Sequence, residues 1–177
     1  PYLDANITTT TLTPSSASTG SRNITASAVT GINDGQGWLA SDVGREISMN
    51  SGKATITART NSTVAVATVT KAFTNANAIT DWQLGAWSGT TGYPRTVSFF
   101  EQRLVFGGST YYPQTIWASQ SGLYEDFDAG DGSAADGFIY TIAANKVNVI
   151  RWLAPARDLI VGTAGGEFKV GKPAGEP

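Results

Sequence analysis

The chain has 177 residues, 12 Lys and Arg against 14 Asp and Glu for a net charge of −2, and neither Cys nor His. Those counts exclude a disulfide framework, a Ser-His-Asp or Cys-His nucleophile, a zinc site built on imidazole or thiolate, and a basic field of the kind that holds nucleic acid by its phosphates. Hydrophobic residues make up 41% and charged residues 15%, against a typical charged share of about 25%. Thr, Ser, Ala, Asn and Gly fill the difference, which favours strands and turns over long surface helices.

No apolar run approaches the roughly 20 residues that span a bilayer, and no charged n-region with an apolar h-region opens the chain. The first residue is Pro1, and Met49 is the one methionine, so the chain reads as a piece of a longer polypeptide. Residues 1–21 are rich in Thr and Ser and end in Pro and Gly, and are expected as an extended arm or linker, or as an arm that packs on a neighbouring subunit. Residues 22–84 read as a small all-β unit, a meander of about four strands. Ile24, Ala26 and Ala28 alternate with polar residues; Val43, Ile47 and Met49 fall on one face; Ala54, Ile56 and Ala58 define the next strand. Val64, Val66 and Val69 continue the pattern into Lys71-Ala72-Phe73. With so many small inward residues, Trp38, Phe73 and Trp82 must supply much of the apolar area.

The glycine-rich stretch 85–92, G-A-W-S-G-T-T-G, is the expected junction. Beyond it, 93–177 holds two repeat units. In the first, Thr96 to Phe100, Arg103 to Phe106 and Thr115 to Ala118 are apolar and aromatic runs separated by a tight turn at Glu101-Gln102 and a loop from Gly107 to Gln114. In the second, Val147 to Leu153, Leu159 to Gly162 and Glu167 to Val170 repeat the layout, with R-L-V-F-G-G matched by D-L-I-V-G-T and 55 residues between Arg103 and Asp158. A strand-only period of about 50 residues points to propeller blades. The expected fold is therefore all-β: a small meander or barrel-like domain followed by about two propeller-type blades. A closed propeller needs at least about four blades, so this one is incomplete.

Candidate chemistry is sparse. Glu125, Asp126, Asp128, Asp131 and Asp136 concentrate carboxylates, but a calcium loop wants D-x-D-x-D/N-G with a later bidentate Glu. Gly130 stands where the third ligand belongs and Asp131 where the glycine belongs, so a solvated loop is expected, with a cation site or a contact loop as the alternatives. Trp87, Trp117 and Trp152 on strand-rich repeats read as core, against a second reading as sugar platforms beside paired carboxylates. Gly107-Gly108-Ser109 and Gly162-Thr163-Ala164-Gly165-Gly166 lack the G-K-S/T ending and a following helix, so strand-end turns are expected there rather than phosphate loops. Arg95, Arg103, Arg151 and Arg157 lie at the edges of apolar runs and are expected to pair with backbone or carboxylates, a minority facing an interface or channel.

One stretch supports a comparison. Tyr93 to Phe127, Y-P-R-T-V-S-F-F-E-Q-R-L-V-F-G-G-S-T-Y-Y-P-Q-T-I-W-A-S-Q-S-G-L-Y-E-D-F, resembles the start of the propeller in tail nozzle proteins of short-tailed bacteriophages, the tail tubular protein B type. The pattern is aromatic-P-x-x-V-x-F-x-x-x-R-L-x-F-x-G, then P-Q-T-I/V-W-x-S, then S-G-D-Y-x-x-F, with Leu123 here in place of the Asp. Trp38 to Ile47, within G-W-L-A-S-D-V-G-R-E-I, also looks like the β insertion that precedes that propeller.

The resemblance covers about residues 10–170 and implies a structural virion component made in the bacterial host cytoplasm and incorporated into the phage tail. In that family several copies form a ring below portal and adapter, line the DNA exit channel and support fibres. It implies no catalytic residue, no cofactor, no metal and no membrane span, and DNA would pass without specific binding. The expected function is that of a non-enzymatic tail component assembling as a homo-oligomeric ring. The alternative is a carbohydrate-binding module or glycosidase of a tail fibre or cell-surface protein.

Overall fold

The computed structural model describes residues 1–127, 133–143 and 147–171. Strand makes up 45% of the described residues and helix 4%, so the class is all-β. The chain divides into two compact units, Tyr2–Thr90 and Thr91–Pro177.

In the first unit, six strands, β1 (Leu12–Pro14), β2 (Gly20–Ala26), β3 (Glu46–Met49), β4 (Gly52–Arg59), β5 (Val64–Lys71) and β6 (Trp82–Leu84), form one sheet ordered β1-β2-β5-β4-β3-β6. It curls into a half-barrel. Only β3, β4 and β5 follow one another as a meander; β2 pairs with β5 and β6 with β3, so the simple meander expected from the sequence is replaced by a sheet with crossovers. The β3–β4 turn is Asn50-Ser51, with φ of 46° and 57°, the left-handed pair that a two-residue hairpin on twisted strands requires.

The expected arm is part of this sheet. Leu12 is fully buried and Leu12, Thr13 and Pro14 pair with Ala26, Thr25 and Ile24. Upstream, Tyr2 bridges Gly85, Leu3 N donates to Leu84 O at 2.8 Å, and Asn6 N donates to Trp82 O at 2.9 Å. On the other side, Leu12 and Ile79 exchange both backbone hydrogen bonds, at 2.9 and 3.1 Å. Each edge of the sheet is thus capped by the stretch of chain that leads into the opposite edge strand. Unpaired strand edges are otherwise left to recruit foreign strands.

The core of the unit joins Leu12, Ile24, Ile47, Met49, Ala54 and Ile56 to the large side chains Trp38, Phe73 and Trp82. On β5 the inward residues are Ala65, Ala67 and Val69, while Val64 and Val66 are half-buried on the outer face. The sequence reading had the valines inward. Three bulky aromatics share this core, so small residues face them and the β-branched pair goes outside. Ala28 and Ala58 are exposed and Val43 is 47% exposed, also against expectation. Ala58 follows a bulge between Ile56 and Ala58, which ends the alternation that began at Ala54.

In the second unit, β7 (Thr96–Phe100), β8 (Arg103–Gly107), β9 (Thr115–Ala118) and β10 (Phe138–Thr141) form an antiparallel meander ordered β10-β9-β8-β7. A second meander follows, β11 (Ile150–Pro155), β12 (Leu159–Thr163) and β13 (Gly166–Val170). The two sheets share one core: Val105, Ile116 and Ala118 of the first meet Ile150, Leu159 and Val161 of the second, with Phe100, Phe138, Leu153 and Phe168 around them. Close approach depends on Gly107, where an added Cβ would come within 3.0 Å of Ile150 Cγ2. The Ile150 amide donates to Pro113 O at 2.9 Å and ties β11 to the loop before β9.

Candidate functional site

Strand register sorts the second unit into an inner and an outer face. Across the first meander, Val97 pairs with Phe106, Phe106 with Trp117, and Trp117 with Ile139; Phe99 pairs with Leu104. Directly paired residues share a face, so these six side chains form one surface, turned away from the shared core. Trp117 is 1% exposed, but Val97, Phe99 and Ile139 expose 56%, 60% and 44%.

The segment after β9 covers part of this surface. Tyr124 stands edge-on to Phe99 with ring centroids 5.3 Å apart, and Phe127 leans on Phe106 at 5.8 Å. Tyr112 stands edge-on to Trp117 at 6.4 Å. The cover is itself wet, since Leu123 and Tyr124 are exposed. Contiguous exposed apolar surface on a folded domain commonly marks a contact site.

The outer face of the second meander is smaller and carries Trp152 with Gly162 and Glu167, and Ala154 with Ile160 and Lys169. Trp152 is 41% exposed and lies flat on Gly162, where a Cβ would meet its ring at 1.9 Å. A register shift between Ile150 and Trp152 sends Ile150 into the core and Trp152 outward.

Arg103 is the anchor that shapes the aromatic cover. It is 7% exposed and its guanidinium donates to the carbonyls of Ser119 at 2.6 Å, Ala134 and Asp136, while lying 5.8 Å from the Phe138 ring centre. It fastens the end of β9 to the turn Ser133 to Asp136, which Asp136 closes by accepting from Ser133 N at 2.7 Å. Arg95, Arg151 and Arg157 are exposed.

Glu125 and Asp126 are exposed and Asp136 is half-buried, while Asp128 and Asp131 lie outside the described residues. Among the described residues no group of three or more His, Cys, Asp or Glu has the geometry to hold a metal ion. The three tryptophans do not form a row: Trp87 belongs to the first unit, Trp117 is buried and Trp152 is half in solvent. The glycine stretches are turns. Gly108 has φ of 61° and Ser109 Oγ accepts from Tyr112 N at 3.1 Å. Ala164-Gly165 closes the β12–β13 hairpin, with Thr163 Oγ1 donating to Gly166 O at 2.7 Å.

The first unit holds a polar cluster that sequence reading did not single out. Asp42 and Arg45, 0% and 1% exposed, pair at 3.1 Å. Arg45 Nε donates to Gly85 O at 2.8 Å and its Nη1 to Asn33 Oδ1 at 2.7 Å. Asp42 accepts from Asn33 Nδ2 at 2.6 Å, Leu39 N at 2.8 Å and Thr90 Oγ1 at 2.8 Å. Both charges are closed off by partners, which is the arrangement a buried ion pair needs to be tolerated and one that leaves nothing to offer a substrate. The cleft lined by Leu3, Asn6, Trp82 and Leu84 has a volume of about 140 Å³, under the roughly 300–1,000 Å³ of ligand pockets. Its one amide donor, Asn6 Nδ2, bonds the carbonyls of Thr8, Thr10 and Thr80.

Among the described residues the geometry offers an interaction surface, the open aromatic face of β7 to β10. No family model matches the chain, and no curated protein matches it significantly.

Proposed function

We propose that the chain is a structural component of a short phage tail, part of a nozzle ring below portal and adapter through which DNA leaves the capsid, and that it performs no catalysis. The observation that carries this reading is the fate of the stretch from Tyr93 to Phe127. Its resemblance to tail nozzle proteins rests on alternating apolar positions, and in the structure those positions become β7, β8 and β9 with an aromatic outer face. The two stacked meanders, with β11 alongside β7, support the further reading of both as blades of a propeller that other sheets complete. A net charge of −2 suits a wall past which DNA slides without sticking, since phosphate binding needs clustered Lys and Arg.

Disrupting the gene in its parent phage tests the proposal. DNA-filled heads that lack an attached tail nozzle are the expected product; intact, infectious tails would sink it. Release of sugar from host glycans, or glycan-array binding lost on Trp152→Ala, would instead favour the carbohydrate reading.

A further inference from the structure

In the first unit β6 pairs with β3 along one edge, and along its other edge lie the residues from Tyr2 to Asn6. That cover is looser than a strand. From Leu3 to Asn6 the chain takes three residue steps against the two from Leu84 to Trp82, so the pairing carries an extra residue, and Asp4 and Ala5 stand exposed. None of the residues from Tyr2 to Ile7 is fully buried, and Ile7 is 98% exposed; full burial begins at Thr10 and Leu12, 1% and 0% exposed. A segment held to a sheet edge by a few backbone hydrogen bonds and little buried apolar area opens at far lower cost than the core beside it.

One side chain sits where the loose cover meets the fixed sheet. Asn6 Nδ2 donates to the carbonyls of Thr8 at 3.1 Å, Thr10 at 3.1 Å and Thr80 at 2.9 Å, and Asn6 Oδ1 accepts from Thr8 N at 3.0 Å and Thr8 Oγ1 at 2.7 Å. The far side of this knot is fast, since Thr10 Oγ1 donates to Thr30 O at 2.5 Å and Trp82 Nε1 to Thr10 O at 2.9 Å. Gly31 closes it from behind: a Cβ there would come within 2.8 Å of Thr8 Oγ1 and 2.9 Å of Asn6 Oδ1. We infer that Tyr2 to Ala5 form a strap that opens while the rest of the unit stays folded, and that the Asn6 side chain is the latch at which the opening stops. Opening takes the Leu3 amide from Leu84 O, breaks the bridge between Tyr2 and Gly85, and lifts Leu3 off the cleft that it lines with Trp82 and Leu84. The open form presents a sheet edge with an apolar floor, the kind of edge to which an extended segment adds. The closed form withholds it.

Amide hydrogen exchange of the 177-residue chain, resolved by residue with NMR and corrected for intrinsic rates, tests both halves. In the wild type the Leu3 amide is expected to exchange at least about 100-fold faster than those of Trp38 and Ile56, which donate within the unit to Ser62 O and Arg45 O. The Thr8 amide and the Trp82 indole N–H, on the fixed side of the latch, are expected to exchange at least about tenfold more slowly than Leu3. Asn6→Ala removes the latch, and is expected to raise exchange at the Thr8 amide and the Trp82 indole at least about tenfold while Trp38 and Ile56 keep their rates. Leu3→Ala loosens the strap alone, and is expected to speed the residue 3 amide and leave Thr8 unchanged. A Leu3 amide as slow as Ile56 in the wild type overturns the inference, because strap and core then open together. So does Asn6→Ala that leaves Thr8 and the Trp82 indole at wild-type rates. Asn6→Ala that accelerates Ile56 as much as Thr8, or that fails to fold, makes Asn6 a support of the whole unit and overturns its role as a latch, while the wild-type profile still decides the strap.

Discussion

The two units solve the same problem, an antiparallel sheet with two faces and two edges, in opposite ways. In Tyr2–Thr90 the sheet curls around its own core and both edges are capped from within, by Tyr2 to Asn6 along β6 and by Ile79 against β1. In the second unit two sheets share one core and leave their outer faces apolar and wet. Curling lets one sheet bury a face on itself, whereas flat stacking always ends in two unburied faces unless more sheets are added. The first unit buries one sheet face on itself, and the second leaves Val97, Phe99, Ile139 and Trp152 in solvent. Even their buried arginines differ: Arg45 is held by a carboxylate and fixes a loop inside the first unit, while Arg103 holds backbone carbonyls and shapes the aromatic cover beside the open face.

This contrast is open to attack by mutation. The largest effect is expected at Asp42→Ala, which leaves the Arg45 guanidinium buried without its carboxylate and should cost about 3–5 kcal/mol. Urea unfolding followed by tryptophan fluorescence measures it, and a loss below about 1 kcal/mol would mean that the loop around Trp38 is held by packing alone. Next is Ile116→Ala on the inner face of the second unit, expected at about 2–5 kcal/mol because the side chain is fully buried between two sheets. Should Ile116→Ala prove nearly neutral, the shared core would not be the contact that joins the meanders.

A smaller effect of opposite sign is expected at the β7–β8 turn. Glu101 and Gln102 adopt φ of 46° and 58°, a left-handed pair that side chains other than Gly, Asn and Asp occupy at a cost. Gln102→Gly should stabilise by about 1 kcal/mol, read as a rise in the unfolding midpoint. The smallest effect is expected at Val97→Thr on the outer face, within about 0.5 kcal/mol on the isolated chain. A large loss of stability there would show that the outer face already contributes to the fold, and the division between a used and an unused face would go with it.

Local pattern made β7, β8 and β9 legible, because Thr96 to Phe100 and Thr115 to Ala118 are dense in β-formers and Glu101-Gln102 separates two strands that must turn back at once. β10 went unread, since Phe138 to Thr141 is a four-residue run that becomes a strand by pairing with β9. The buried Asp42 and Arg45 had a faint signal, an acid and a base three residues apart beside Trp38, but opposite charges at that spacing are usually on a surface. On the outer faces, sequence assigned Trp152 to a core, yet it is 41% exposed on β11, and Phe99 on β7 is 60% exposed.

What the sequence by itself determined is the class, the strand-and-turn rhythm of residues 96–118 and the absence of thiol and imidazole chemistry. These follow from composition and from the two-residue period of side chains along a strand, both local properties. Tertiary structure decided which of the two faces each strand turns inward. Ala65 and Ala67 face the core in place of Val64 and Val66 because the aromatics leave little room, and one register shift before Trp152 puts its ring in solvent. It also drew the first residues into the sheet, where Leu12 finds Ala26 and Ile79. A face has no inside until another surface covers it, and no single stretch of sequence carries that choice.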